Sequence, residues 1–154
     1  ELCGRYGVPL ILNDDAELAQ AAGADGVHVG QSDMEAGRVR ALLGEDKLIG
    51  VSARTVEQAL AAQAAGADYL GVGAMFPTGT KQDTRPVSYD TLKAICAAVD
   101  IPVVAIGGIG AGKVAELAGS GIAGGAVVSA LYAQPDVEAA TRSLRAQVER
   151  VVGP

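Results

Sequence analysis

The sequence predicts an α/β fold of the (β/α)8-barrel type, and three observations carry that prediction. Short apolar strands alternate with alanine-rich helical stretches along the whole chain, the pattern of parallel strands joined by helical crossovers. A helix-to-strand turn recurs: Ala21-Ala22-Gly23-Ala24-Asp25 and Ala64-Ala65-Gly66-Ala67-Asp68 each end a helix with glycine and launch a strand, and Gly121–Val128 is a weaker third copy. The last two strands run into Gly107-Gly108-Ile109-Gly110 and Ser129-Ala130, small and hydroxyl-bearing segments suited to the phosphate site that barrels often build after strands seven and eight. No GxGxxG opens a helix, so an open dinucleotide-binding sheet has no support.

The elements follow in order. Glu1–Tyr6 reads as the end of a helix stopped by Gly7. Strands are expected at Pro9–Leu12, Gly26–Val29, Leu48–Val51, Tyr69–Val72, Pro102–Ile106 and Gly124–Val128, each a branched-aliphatic run bounded by turn residues. Between them helical patterns cover Asp15–Ala22, Glu35–Leu43, Thr55–Ala65, Tyr89–Val99 and Gly112–Ala118, and a last helix covers Asp136–Val151. If the final strands are the seventh and eighth of a barrel, those visible here are the third to the eighth, and the first two βα units are expected upstream of Glu1. The whole chain forms one domain.

Composition narrows the function. Of 154 residues 49% are hydrophobic but only 3% aromatic, and there are 21 glycines, so the core is aliphatic and the turns are tight. A net charge of -6 gives no general attraction to nucleic acid or to anionic membranes, and no apolar run is long enough to span a bilayer. An anionic ligand must then be held locally. Cys3 and Cys96 have neither CxxC nor metal spacing, which points to inert thiols in a reducing, cytoplasmic setting.

In a barrel the residues just past the C-terminal strand ends face the active site. Those positions hold Asn13-Asp14-Asp15, Gly30-Gln31-Ser32-Asp33, Ser52-Ala53-Arg54, Thr78-Gly79-Thr80-Lys81, Gly107-Gly108 and Ser129. Asp14 and Asp33 follow consecutive strands and offer hard oxygen ligands for Mg2+, which takes further ligands from water and substrate phosphate. Spacing alone puts helix capping ahead for both. The loop from Pro77 to Arg85 combines hydroxyls, a glycine and cations, the groups an anionic phosphate needs, although it is not a P-loop. Gly108 and Ser129 suit backbone or helix-end contact with phosphate, and glycine at Gly108 equally suits a tight turn. His28, the single histidine, reads as a hydrogen-bonded structural residue and excludes a histidine-based metal site. Gly23, Asp25, Gly66 and Asp68 read as structural turn residues at the far end of the strands.

Taken together and in order, Ile11-Leu12-Asn13-Asp14, Gly26–Asp33, Gly50-Val51-Ser52, Gly71-Val72-Gly73, Pro77–Lys81, Ile106–Ile109 and Val127-Val128-Ser129 resemble the thiamine-phosphate synthase (thiamine-phosphate pyrophosphorylase) family. The resemblance covers nearly the whole chain. It implies a (β/α)8 barrel and a Mg2+-dependent transferase. The reaction joins 4-amino-5-hydroxymethyl-2-methylpyrimidine diphosphate to 4-methyl-5-(2-phosphooxyethyl)thiazole, giving thiamine phosphate and pyrophosphate. It also implies that Asp14 and Asp33 bind the metal, which overrides the capping preference. Asn13, Ser52 and Lys81 would contact the pyrimidine diphosphate or the departing pyrophosphate, with Ser52 and Lys81 catalytic. Thr78, Thr80, Gly108, Val128 and Ser129 would line the thiazole phosphate site.

The chain departs from the family pattern at Ala74, where proline is usual, at Lys113, where asparagine often follows the GGI segment, and at Gly125, where valine is more usual. The family's Q-x-R-x-K motif of the second strand is not in this sequence. Two alternatives stand beside the synthase. A thiazole tautomerase is a homologous barrel, but Ser52 and the Thr78–Lys81 loop speak for the synthase. A non-catalytic remnant would hold thiazole phosphate without turning it over. Small molecules are the expected partners, and barrels commonly form homo-oligomers.

Overall fold

The computed structural model describes residues 1–77 and 86–152. Its centre is one six-stranded, all-parallel sheet: β1 (Ile11–Asn13), β2 (Gly26–Val29), β3 (Leu48–Ala53), β4 (Tyr69–Val72), β5 (Val103–Ile106) and β6 (Gly124–Ala126). The strands lie side by side in chain order, with β1 and β6 at the two edges. A doubly wound sheet would reverse direction from its first strand, and this one never does. The helices are α1 (Leu2–Arg5), α2 (Ala16–Ala21), α3 (Ala36–Leu43), α4 (Val56–Ala64), α5 (Tyr89–Ala98), α6 (Ser129–Tyr132) and α7 (Val137–Val152). A single 3-10 turn, Val114–Leu117, stands between β5 and β6.

Burial alternates along the strands, because side chains in a strand point to opposite faces with period two. Val27, Val29, Ile49, Val51, Leu70, Val72, Val103 and Ala105 are at most 5% exposed. They form one aliphatic core with Val39 of α3, Ala59 and Ala62 of α4, Leu92 and Ile95 of α5 and Leu144 of α7. The opposite face carries His28, Ser52 and Tyr69, which are only partly buried, and Ile106, which is 41% exposed. The helices that contribute to this core therefore sit on one side of the sheet.

The residues heading the expected helices act as caps. Asp15 Oδ1 accepts from Leu18 N at 2.8 Å, the Glu35 carboxylate accepts from Gly37 N and Arg38 N, and Thr55 Oγ1 accepts from Gln58 N at 3.2 Å. The repeated turn is structural, as its sequence implies. Gly23 and Gly66 both have positive φ, at 62° and 90°. Asp25 Oδ2 accepts from Leu10 N, and Asp68 Oδ2 accepts from Ile49 N, each at 2.7 Å. Each carboxylate thus pins the start of the preceding strand. Arg40 reinforces the second pin: its guanidinium donates to Asp68 Oδ2 at 2.7 Å and to the carbonyls of Gly44, Lys47 and Gly66.

Four expectations need correction. The pattern at Gly112–Ala118 is a 3-10 turn over Val114–Leu117, bounded by Gly112 and Gly119, both at positive φ. The last strand stops at Ala126 rather than Val128, which becomes the cap position of α6. Helix α6 was hidden in the continuous apolar run that ends β6. The first strand is Ile11–Asn13, two residues later in start than Pro9–Leu12, because Pro9 has no N–H for the ladder. Cys3 and Cys96 are free and half-buried, and burial pushes the Cys96 thiol pKa up.

Candidate active site

The C-terminal ends of adjacent parallel strands bring the expected residues to one edge of the sheet. After β1, Asp14 adopts φ 71°, the single positive-φ residue other than glycine among the described residues. Its N–H donates to the His28 carbonyl at 2.8 Å, while Asp15 N closes back on the Asn13 carbonyl at 2.8 Å. This is a γ-turn of the strained, positive-φ kind, a conformation that persists mainly where function demands it. After β2, Gly30 N donates to Asp33 Oδ2 at 2.7 Å and Asp33 N returns to the Gly30 carbonyl at 3.3 Å. The Gln31 amide donates to the Ser52 carbonyl at 2.6 Å and ties this loop to β3.

Capping of α2 and α3 falls to Asp15 and Glu35, so neither Asp14 nor Asp33 serves as a helix cap. Both carboxylates are exposed. Among the described residues no three His, Cys, Asp or Glu side chains converge on a point. The donor set fits a hard cation that keeps water and substrate oxygens in its shell, and does not fit a closed protein cage.

Ser52 lies on the open face of β3, where its Oγ is 3.0 Å from His28 Nε2; His28 Nδ1 is 3.1 Å from the Tyr69 hydroxyl. The histidine is thus hydrogen-bonded, as expected, and burial pushes the Tyr69 pKa up. Sequence reading passed over Tyr69. The register supplies what the sequence does not: it pairs His28 with Gly50 and Gly50 with Tyr69, which puts all three on one face.

On the β5 side, Met75 N donates to the Ile106 carbonyl and Phe76 N to the Gly107 carbonyl, each at 3.0 Å. Gly107 and Gly108 have φ 92° and 67°, and a Cβ on Gly108 would come within 2.7 Å of the Phe76 and Pro77 carbonyl oxygens. Glycine is required there for both reasons. Lys113 sits 5.3 Å from the Phe76 ring centroid, a cation–π contact beneath the same loop. Val128, 53% exposed, and the exposed Ser129 stand at the end of β6. Thr78, Thr80 and Lys81 lie outside the described residues. A cavity of about 160 Å3 opens beside the β2 end, lined by Gly30, Gln31 and Asp33 among others. The larger void of about 390 Å3 lies at the opposite strand ends, beside Asp25, Lys47 and Leu48, away from all of these residues.

The profile of the family described as thiamine monophosphate synthase matches residues 1–131. The chain belongs to that family. Within the thiamine monophosphate synthase family, it is 54% identical over 140 residues to the thiamine-phosphate synthase of Ruminiclostridium cellulolyticum, a match covering 91% of this chain and 67% of that protein. It is 51% identical over 148 residues to a probable thiamine biosynthetic bifunctional enzyme, chloroplastic, of Oryza sativa, covering 94% of this chain and 27% of that protein. Among solved structures, thiamine phosphate pyrophosphorylase from Pyrococcus furiosus superposes with a TM-score of 0.89 at 39% identity, covering 99% of this chain and 73% of that one.

Proposed function

We propose that this chain is a thiamine-phosphate synthase, a transferase that joins 4-amino-5-hydroxymethyl-2-methylpyrimidine diphosphate to 4-methyl-5-(2-phosphooxyethyl)thiazole and releases pyrophosphate. The observation that carries the reading is the edge where Asn13, Asp14, Asp33 and Ser52 stand at the ends of three neighbouring strands in a chain of this family. Asp14 and Asp33 would hold Mg2+, and bound there the ion would offset the negative charge of the diphosphate.

The remaining work belongs to the chain itself. The C–O bond to the diphosphate breaks with its electron pair leaving on pyrophosphate, and the thiazole nitrogen supplies the pair for the new C–N bond. That chemistry asks for leaving-group stabilisation and positioning more than for a general base. Asn13, Ser52 and Lys81 are read as contacts to the pyrimidine diphosphate and the departing pyrophosphate. Thr78, Thr80, the Gly108 backbone, Val128 and Ser129 are read as the thiazole phosphate site. The Ser129 and Ala130 N–H groups donate to no backbone acceptor among the described residues, as in any first helical turn, and are open to an anion.

The sheet itself is read as strands three to eight of a (β/α)8 barrel. Its chain-order strands, one-sided helices, exposed Ile106 and Val128, and edge strands with one neighbour each support that reading. The test is release of pyrophosphate from the pyrimidine diphosphate in the presence of the thiazole phosphate and Mg2+, by this chain and by a form extended upstream by two βα units of about 30 residues each. The extended form is expected to be much the faster. Equal turnover by the two would overturn the barrel numbering, and no turnover by either, with thiazole phosphate still bound, would reduce the chain to a binding domain.

A further inference from the structure

Strand β2 stops at Val29, and two side chains of the loop beyond it take up the hydrogen bonds that a longer strand would make with its backbone. In a parallel ladder the N–H and C=O of one residue point to the same neighbour, and successive residues alternate between neighbours. Leu48 N donates to the Asp25 carbonyl, while Gly26 N donates to the Leu10 carbonyl and Asp14 N to the His28 carbonyl. Odd residues of β2 therefore face β3 and even ones face β1. With Val29 opposite Val51, one further rung would give the Ser52 carbonyl the backbone N–H of residue 31 and turn the Gly30 N–H toward β1.

Neither bond is made that way. The Ser52 carbonyl accepts from the side-chain amide of the same residue, Gln31 Nε2, at 2.6 Å, and the Gly30 N–H goes to Asp33 Oδ2 at 2.7 Å. The backbone is thus free to leave the sheet at once, and it closes a turn from Asp33 N to the Gly30 carbonyl at 3.3 Å. One oxygen of Asp33 is spent on that turn. The other, Oδ1, makes no hydrogen bond among the described residues. The Gln31–Ser52 bond is also the one hydrogen bond among the described residues that joins this loop to β3. Gln31 is exposed, so core packing does not call for a side chain of its length.

We propose that Gln31 is a positioning residue: its amide stands in for the missing rung of the ladder and fixes the Asp33 carboxylate relative to Ser52 before any ligand binds. This rests on the reading of Asp33 as a Mg2+ ligand and of Ser52 as a contact to the diphosphate. Without the latch, the loop keeps its internal turn but loses its tie to β3, so the carboxylate and the serine no longer move as one body. Groups that orient a metal ligand typically change affinity about 10–100-fold when removed.

Gln31→Met keeps the length of the side chain and removes the donor, and Gln31→Glu does the same with a charge. In the ligand-free chain, amide exchange followed by NMR should quicken about tenfold at Gly30 and Asp33 in both variants, with Val27, Val29 and the denaturant midpoint little changed. Binding of preformed magnesium pyrophosphate, measured by calorimetry, should weaken about tenfold or more in Gln31→Met. Exchange at Gly30 and Asp33 that matches the parent overturns the proposal. So does a variant that binds magnesium pyrophosphate as tightly as a binding parent, or one whose weaker binding comes with general destabilisation of the sheet. A parent chain with no affinity for magnesium pyrophosphate overturns the metal-site reading itself and takes the proposal with it.

Discussion

The two faces of the sheet are made from the same strands and obey opposite rules. On the helix-covered face strands β2, β3 and β4 present aliphatic residues: Val27 and Val29, Ile49 and Val51, Leu70 and Val72, all at most 5% exposed. On the open face the intervening positions carry His28, Gly50, Ser52, Tyr69 and Gly71, with hydrogen bonds in place of close packing. Stability therefore sits on one parity of the strand and chemistry on the other. A substitution can be assigned to one ledger or the other by counting residues along a strand.

Changes on the covered face should test that separation most severely. Leu70→Ala leaves a cavity in the aliphatic core and is expected to cost about 2–5 kcal/mol of unfolding free energy, measured by denaturant titration. Its turnover per folded molecule should be unaltered. A fully stable Leu70→Ala, or one that is folded but inactive, would break the division.

Next come the strand-end carboxylates. Asp14→Asn and Asp33→Asn should each lower turnover about 10–100-fold or more, the loss typical even of groups one step removed from a metal, and raise the Mg2+ concentration for half-maximal rate. Unfolding should barely change, because asparagine tolerates the left-handed φ of Asp14. Magnesium titrations that superpose on the parent would remove both residues from the metal site.

The smallest effect sharpens the contrast by one residue. Asp15→Ala, beside Asp14, removes the α2 cap and should cost about 1 kcal/mol of stability with little effect on turnover. Neighbouring aspartates would then have separate jobs. A loss of activity in Asp15→Ala matching that of Asp14→Asn would erase the distinction.

Much of this arrangement was legible in the sequence. Strands Gly26–Val29 and Tyr69–Val72 match residue for residue, because a glycine turn and an aspartate mark each start and the aliphatic run marks each length. Asp14 and Asp33 were found by their position after strands, but spacing could not separate capping from ligation. That required seeing Asp15 and Glu35 take the caps. The Tyr69–His28–Ser52 array was out of reach, since it depends on a cross-strand register that no local pattern specifies. Gly112–Ala118 reads as a longer helix than the 3-10 turn that forms there, and α6 escapes the pattern altogether, because helical periodicity needs several turns to show.

The repeated turn has an evolutionary consequence. Asp25 and Asp68 make the same bond to the strand before them, from the same Gly-Ala-Asp context, so the β1–β2 and β3–β4 seams are chemically alike. Recombination at such seams can exchange one βα module for another without rewriting the contacts that hold neighbours together. The third copy has Ala123 in place of the aspartate and keeps only the backbone bond from Ala123 N to the Val103 carbonyl, 2.8 Å. That junction has lost the common fitting, and modules grafted across it would have to bring their own.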